Sequence, residues 1–193
     1  MSLETMKVFF SLLALAANVG TILIVIAALT PASSSLRTTV FGVLRGSELW
    51  LAAIVASTAM LGSLYLSEVA HLIPCTLCWY QRIAMYPLAV VLLIAAFRKD
   101  HGIRIYAATL AVIGGGISVY HRLLQDFPIL DGGSCSVGVP CTAAYFRVFD
   151  FITIPYMALS AFLFVLALLW VDRVNSAATA PSFDNTDSIT EPA

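Results

Sequence analysis

Four cysteines fall into two close pairs, Cys75 with Cys78 and Cys135 with Cys141. In Pro74-Cys75-Thr76-Leu77-Cys78 the thiols stand at i and i+3. On a helix that spacing puts both on one face, within the Cα separation a disulfide needs. Proline is favoured in a first helical turn, so this stretch is expected to open a helix. Free backbone N–H groups and the positive end of the helix dipole there favour thiolate over thiol, and thiolate is the form that attacks a disulfide. The second pair sits in Cys135-Ser136-Val137-Gly138-Val139-Pro140-Cys141, directly after Asp131-Gly132-Gly133-Ser134. Those turn residues place it in a loop expected to be mobile. A mobile disulfide beside a helix-anchored one suits the passage of a disulfide from one place to another. The same residues would also serve as two structural staples, or as a four-thiolate zinc site.

Composition constrains what holds these thiols. Hydrophobic residues make up 60% of the 193 and charged residues 11%, against roughly 25% charged in an ordinary soluble domain. One soluble core of this size cannot hide so much apolar surface, and disorder requires low hydrophobicity with high charge. A net charge of −1 gives no electrostatic footprint for nucleic acid. The class that remains is an all-α integral membrane protein, because the apolar runs lack period-2 alternation and are too long for barrel strands. At about 20 residues per crossing, five spans are expected: 8–29, 49–67, 76–97 (interrupted by Arg82), 105–120 with continuation to 124, and 151–171.

Lys and Arg set the orientation. Arg98, Lys99 and Arg104 lie between spans three and four, Arg37 and Arg45 between spans one and two, and Arg173 closes span five. Alternation puts these six of the ten basic residues on one face, read as cytoplasmic, with Lys7, Arg82, Arg122 and Arg147 on the other. The N-terminus is then outside, the C-terminus is cytoplasmic, and all four cysteines are extracytoplasmic. Disulfides persist on that side, which also disfavours a thiolate zinc site. Trp50 and Trp170 fall at the inner boundary and Trp79 at the outer one, as an aromatic belt requires. Thr30-Pro31-Ala32 loosely resembles a signal-peptide cleavage site, but the apolar run before it is 22 residues, longer than the usual 7–15 or so. The first span is therefore read as retained. The polar residues 174–193 are expected to form a disordered cytoplasmic tail.

Arg82 follows Cys78 by four residues and so shares its helical face. A cation at that depth either snorkels or finds a partner, such as a thiolate or a reduced, oxygen-bearing ring beside Cys78. His121 and Arg122, at the outer end of span four, are expected to approach the same place, with Gln125 able to hydrogen-bond to His121. Gly114-Gly115-Gly116 in that span reads as a close helix contact. Net thiol oxidation also needs an acceptor of higher potential, about 30 mV being worth about 1.4 kcal/mol for two electrons. A soluble oxidant would not require five spans, whereas a lipid-dissolved quinone explains them.

Pro74-Cys75-Thr76-Leu77-Cys78-Trp79-Tyr80-Gln81-Arg82 resembles the signature of the disulfide bond formation protein B family, in particular its BdbC-like branch. Tyr120-His121-Arg122-Leu123-Leu124-Gln125, Val139-Pro140-Cys141 and Phe151-Ile152-Thr153-Ile154-Pro155 resemble further motifs of that family, in the same order. The resemblance implies a four-helix bundle at 49–173, to which residues 1–48 add an N-terminal transmembrane helix and a cytoplasmic linker. It also implies a membrane thiol oxidase of the bacterial plasma membrane. Such an enzyme re-oxidises a thioredoxin-like extracytoplasmic dithiol protein (a DsbA- or BdbD-like partner) and passes the electrons to ubiquinone or menaquinone. By the same resemblance, Cys135 or Cys141 would form the mixed disulfide with the partner, with Cys135 the family-like choice. Cys75 and Cys78 would re-oxidise that loop pair. Cys78 would be the thiolate touching the quinone, with Arg82 and His121 beside the ring, and no resident metal is expected. Two other readings use the same residues: a non-catalytic membrane scaffold stapled by two disulfides, and a quinone or vitamin K epoxide reductase acting for the sake of the quinone.

Overall fold

In hydrocarbon a helix satisfies all its backbone hydrogen bonds within one segment, and each long apolar run of the chain forms one. A computed structural model describes residues 3–131, 135 and 139–179. It contains α1 (Leu3–Leu29), α2 (Ser35–Leu44), α3 (Glu48–Leu64), α4 (Thr76–Arg98), α5 (Arg104–Asp126) and α6 (Ile154–Thr179). Five segments are long and apolar enough to cross a membrane, and each contains one of the helices other than α2. The expected all-α, five-span architecture is therefore the one observed. Among the described residues there is no strand, only an isolated bridge between Val148 and Ile152.

α2 was not foreseen: the link after the first span was read only as a linker. Its first turn is capped by the Ser34 hydroxyl, which accepts from the Arg37 N–H at 3.2 Å, satisfying one of the donors a helix start leaves open. A second correction concerns the end of the chain. Residues 174–179, assigned to a disordered tail, continue α6. Asn175 donates to the Glu48 carboxylate at 2.6 Å and to the Phe41 carbonyl at 3.1 Å, which anchors this turn to α2 and α3. The rest of the expected tail lies outside the described residues.

α3 packs on α4, α4 on α5, α5 on α6 and α6 back on α3, closing a four-helix bundle, while α1 lies outside this ring against α6. Alanines such as Ala52, Ala56, Ala89, Ala107 and Ala111 are buried at the contacts, and small side chains let helices in a membrane approach closely. The glycine run in α5 acts in this way at one position. A Cβ on Gly114 would lie 2.2 Å from the Phe162 ring of α6, whereas one on Gly116 would meet nothing within 4 Å.

The helix directions gather chemistry at one end and basic charge at the other. The start of α4, the end of α5 and the loop with Cys135 and Cys141 share one end, and Lys7 of α1 lies 5.3 Å from the Phe146 ring of that loop. At the other end the buried Asp172 carboxylate pairs with His101 at 2.7 Å and Arg104 at 3.2 Å, tying α6 to the start of α5.

The glycine contact makes a paired test. Gly114→Ala must displace a fully buried ring, an overpacking that costs about 1–3 kcal/mol. Gly116→Ala is expected to be neutral or stabilising by up to about 1 kcal/mol, because glycine is a poor residue inside a helix. Thermal unfolding of the two variants in detergent checks this, and equal midpoints would remove the close contact as a packing constraint.

Candidate active site

Cys75 is the N-cap of α4: its backbone is extended (φ −71°, ψ 171°) and its sulfur accepts from the Cys78 N–H at 3.4 Å. The next turn brings the Cys78 sulfur to 2.8 Å from the Cys75 sulfur, with no bond between them. The i, i+3 geometry expected from the sequence is thus realised at a helix start. His121, 46 positions further along on α5, places Nε2 at 3.7 Å from the Cys75 sulfur. Its Nδ1 lies 3.5 Å from the amide nitrogen of Gln81, one turn along α4 from Leu77. With that amide donating to Nδ1, the ring proton sits on Nε2 and points at sulfur. Cys75, Gln81 and His121 are all buried.

These donors act on charge. The Cys78 side chain hydrogen-bonded to Cys75, the His121 imidazole and the Cys78 backbone N–H together outweigh the opposing effect of burial. They lower the Cys75 thiol from its usual 9.0 to about 4. The thiolate of the reduced pair is thereby favoured on Cys75, the helix-capping sulfur, and not on Cys78, the thiolate that the family resemblance implied. The ligand atoms of Cys75, Cys78 and His121 lie within 4.8 Å of one another, a set of types that could also hold a thiophilic metal ion.

Cys78 looks the other way. It is half-buried and borders a cavity of about 590 Å³ lined by α1, α3, α4 and α6 and open on one side. Gln81, Arg82 and Ser63 give this cavity polar groups near Cys78, and Met85, Ala158 and Phe162 give it apolar walls. The buried Arg82 guanidinium donates from Nε to the Ser63 hydroxyl and from Nη2 to the Ser63 carbonyl, both at 2.9 Å. It also lies 5.3 Å from the Trp79 ring centroid. Directly after Ser63 and Leu64, α3 passes into a π-helical turn, Tyr65–Val69, the kind of irregularity often found at functional sites.

Cys135 and Cys141 are joined in a disulfide with a Cα separation of 5.8 Å. Cys141 is fully buried with Cys75, Leu77 and Leu124, while Cys135 and Cys78 pack partly buried against the same cluster. Both cysteine pairs therefore occupy one apolar patch at one end of the bundle. The Tyr145 hydroxyl donates to the Ile73 carbonyl, which fastens the segment after Cys141 to the segment before Cys75.

Comparison with known proteins adds identity to this geometry. A family model described as Disulfide bond formation protein DsbB matches residues 46–171, a stretch that includes both cysteine pairs. The chain belongs to that family. It is 48% identical over 122 residues to Disulfide bond formation protein C of Bacillus subtilis (strain 168), covering 63% of this chain and 88% of that one. It is 45% identical over 132 residues to Probable disulfide formation protein C 2 of Bacillus anthracis, covering 68% and 94%. It is 46% identical over 123 residues to Probable disulfide formation protein C of Halalkalibacterium halodurans, covering 62% and 88%. No solved structure matches the chain.

Within this DsbB-family domain the expected site residues fall in distinct places. Cys75, Cys78 and His121 come together; Arg82 lies on the cavity; His121 does not line that cavity but stands behind Cys75. Arg122 pairs with Asp126 at 3.2 Å. The Gln125 side-chain oxygen is buried without a hydrogen-bond partner among the described residues. Gln81, Ser63 and Tyr145 were not singled out from the sequence. Gln81 stood inside the quoted motif, whereas Ser63 and Tyr145 reach the site only through tertiary contacts.

The charge arrangement fixes a pH dependence. The native reduced pair releases its proton near 4, while the unfolded chain holds it to about 9.0. The reduced fold therefore gains stability as pH rises through that window and loses it as pH falls toward 4. Thiolate absorbance of the reduced protein is expected to titrate near pH 4. The transition should vanish in Cys75→Ser and move upward in His121→Ala. A wild-type transition near 9 would remove the proposed stabilisation.

Proposed function

We propose that this protein is a thiol oxidase of a bacterial plasma membrane that takes two electrons from a thioredoxin-fold dithiol protein outside the cell and delivers them to a membrane quinone. One observation carries the reading: the Cys75–Cys78 pair stands between the loop disulfide on one side and an apolar cavity on the other. The disulfide-formation names of its relatives support the oxidative direction. The clustering of Arg37, Arg45, Arg98, Lys99, Arg104 and Arg173 at the end opposite the cysteines supports an extracytoplasmic placement of the thiols.

The chemistry balances in three exchanges. A partner thiolate attacks the Cys135–Cys141 disulfide; Cys135 is the reachable sulfur, because Cys141 is buried. The partner's second thiol then resolves the mixed disulfide, leaving the partner oxidised and the loop pair reduced. The loop dithiol next reduces a Cys75–Cys78 disulfide and is itself re-oxidised. His121 and the start of α4 hold the resulting anion on Cys75 while Cys78 faces the cavity. A quinone held there would supply the two-electron acceptor for re-forming the Cys75–Cys78 disulfide; the Cys78 thiol carries one of the two protons a quinol needs, and the other, released when Cys75 ionises, returns from solvent. The residues present fit such a ring: Arg82 and Gln81 offer N–H donors beside Cys78, and Met85, Ala158 and Phe162 offer apolar surface.

Purified protein given quinone and a reduced thioredoxin-fold partner is expected to consume thiols, and Cys78→Ser to abolish turnover. A partner whose second cysteine is replaced by serine should stay disulfide-bonded to Cys135 of the wild-type protein, and the same partner should form no such adduct with Cys135→Ser, which holds no loop disulfide to attack. Normal turnover in Cys78→Ser would overturn the relay. Two disulfides that resist mild reductant and trap no partner would instead identify structural staples.

A further inference from the structure

α1 precedes residues 46–171, the stretch the family model matches, yet its seat on the bundle is specific. Asn18 donates to the Tyr156 hydroxyl of α6 at 2.8 Å. A Cβ on Gly20 would lie 2.7 Å from the Phe164 ring, and one on Gly62 of α3 would lie 2.6 Å from the Phe10 ring of α1. A polar bond and two glycine-dependent contacts thus fix the rotation of a helix that would need none of them as a plain anchor.

That rotation turns Phe9, Phe10, Leu13, Ala14 and Ala17 into a wall of the cavity that begins at Cys78. At about 1.5 Å per residue, the lining stretch from Phe9 to Ala17 runs about 12 Å along α1, as does the stretch from Cys78 to Tyr86 along α4. Polar groups (Ser63, Cys78, Gln81, Arg82) gather at its outer end, and the deeper wall is mostly apolar, with Thr58 and Tyr86 among its lining residues. Such a cavity suits an amphiphile with a flat polar head and a long apolar chain. Its volume of about 590 Å³ exceeds what a lone ring needs and lies within the usual range of about 300–1,000 Å³ for ligand sites.

We propose that α1 is the wall that holds the isoprenoid chain of the membrane quinone, so that the acceptor is recognised by its tail as well as its ring, with Ala14 and Ala17 setting the width of the channel. This inference rests on the quinone-reducing function above and adds an element to its binding site.

The test uses the full chain in lipid nanodiscs and a benzoquinone whose isoprenoid tail carries a photoreactive diazirine. Label is expected on residues 9–17, competed by unlabelled prenylated quinone and not by an equal excess of phospholipid. Label confined to α3, α4 and α6, or competition by phospholipid as effective as by quinone, overturns the proposal. Kinetics supply the second arm. Ala14→Phe, which displaces tail from the cavity, should raise KM for the prenylated quinone about tenfold or more. It should raise KM for a tail-less quinone far less, so that the ratio of the two KM values rises. Ile22→Phe, at an exposed position on α1 outside the cavity, should behave as wild type. Unchanged constants for both quinones in Ala14→Phe overturn the proposal. Labelling needs no turnover, so the two failures separate. Wild-type protein that labels on residues 9–17 but reduces no quinone overturns the oxidase function and keeps the α1 wall. Turnover without α1 label overturns the wall alone.

Discussion

An ionised sulfur buried beside hydrocarbon is stable only where donors replace the water it has lost. Cys75 meets that condition through three sources at once: the free N–H of a helix start, the neighbouring Cys78 thiol and the His121 ring from a second helix. Each demands a particular placement. The N–H requires α4 to begin immediately after Cys75. The ring requires α5 to end alongside that start, which the packing of α4 on α5 provides. Stabilising the thiolate favours the reduced pair, and a pair whose reduced form is favoured is a stronger oxidant of other thiols.

Arg82 follows from the same scarcity of water. A buried guanidinium stripped of a partner would cost about 3–5 kcal/mol, and each hydrogen bond to a charged group returns about 1.5–3 kcal/mol. Two bonds to Ser63 are enough to hold the cation in place before any ligand arrives. The carbonyl it uses belongs to the last α-helical turns of α3, just before the π turn. α3 and α4 are thereby joined at the rim of the cavity by a polar clamp, and the clamp leaves Arg82 beside Cys78 as a fixed positive charge.

Long-range placement separates what was legible in the sequence from what was not. The spans, the helix start at Cys75 and the face shared by Cys78 and Arg82 all follow from local periodicity, and each is observed. The position of His121 near the thiols followed from the topology, because α5 must end on the side where α4 begins. Its placement behind Cys75, and not on the cavity, depends on the rotation of α5, a rotation that also brings Gly114 close against Phe162. No local pattern carries that information. The same holds for Ser63, a hydroxyl in an otherwise ordinary apolar run, and for Asn175, whose polar surroundings read as tail until Glu48 and Phe41 supply partners. α2 was hidden for a different reason: at ten residues it is too short and too mixed in character to stand out beside membrane spans.

The two ends of the proposed relay would place opposite demands on the protein. Exchange with a protein partner needs a sulfur that another polypeptide can reach, and delivery of electrons to a lipid-soluble acceptor needs an apolar cavity closed to water. A single pair exposed to both would let partner thiols react directly with the acceptor. Here the accessible sulfur belongs to Cys135 and the cavity-facing one to Cys78, with the buried Cys141 and Cys75 packed between them in one cluster. In the proposed relay, burial of the inner two sulfurs would route electrons through both disulfides in turn, with access setting the order of exchange. The cavity can then be tailored without disturbing the partner-facing loop. α1 is positioned for that role, because it touches the cavity while lying outside the four-helix ring that holds the thiols.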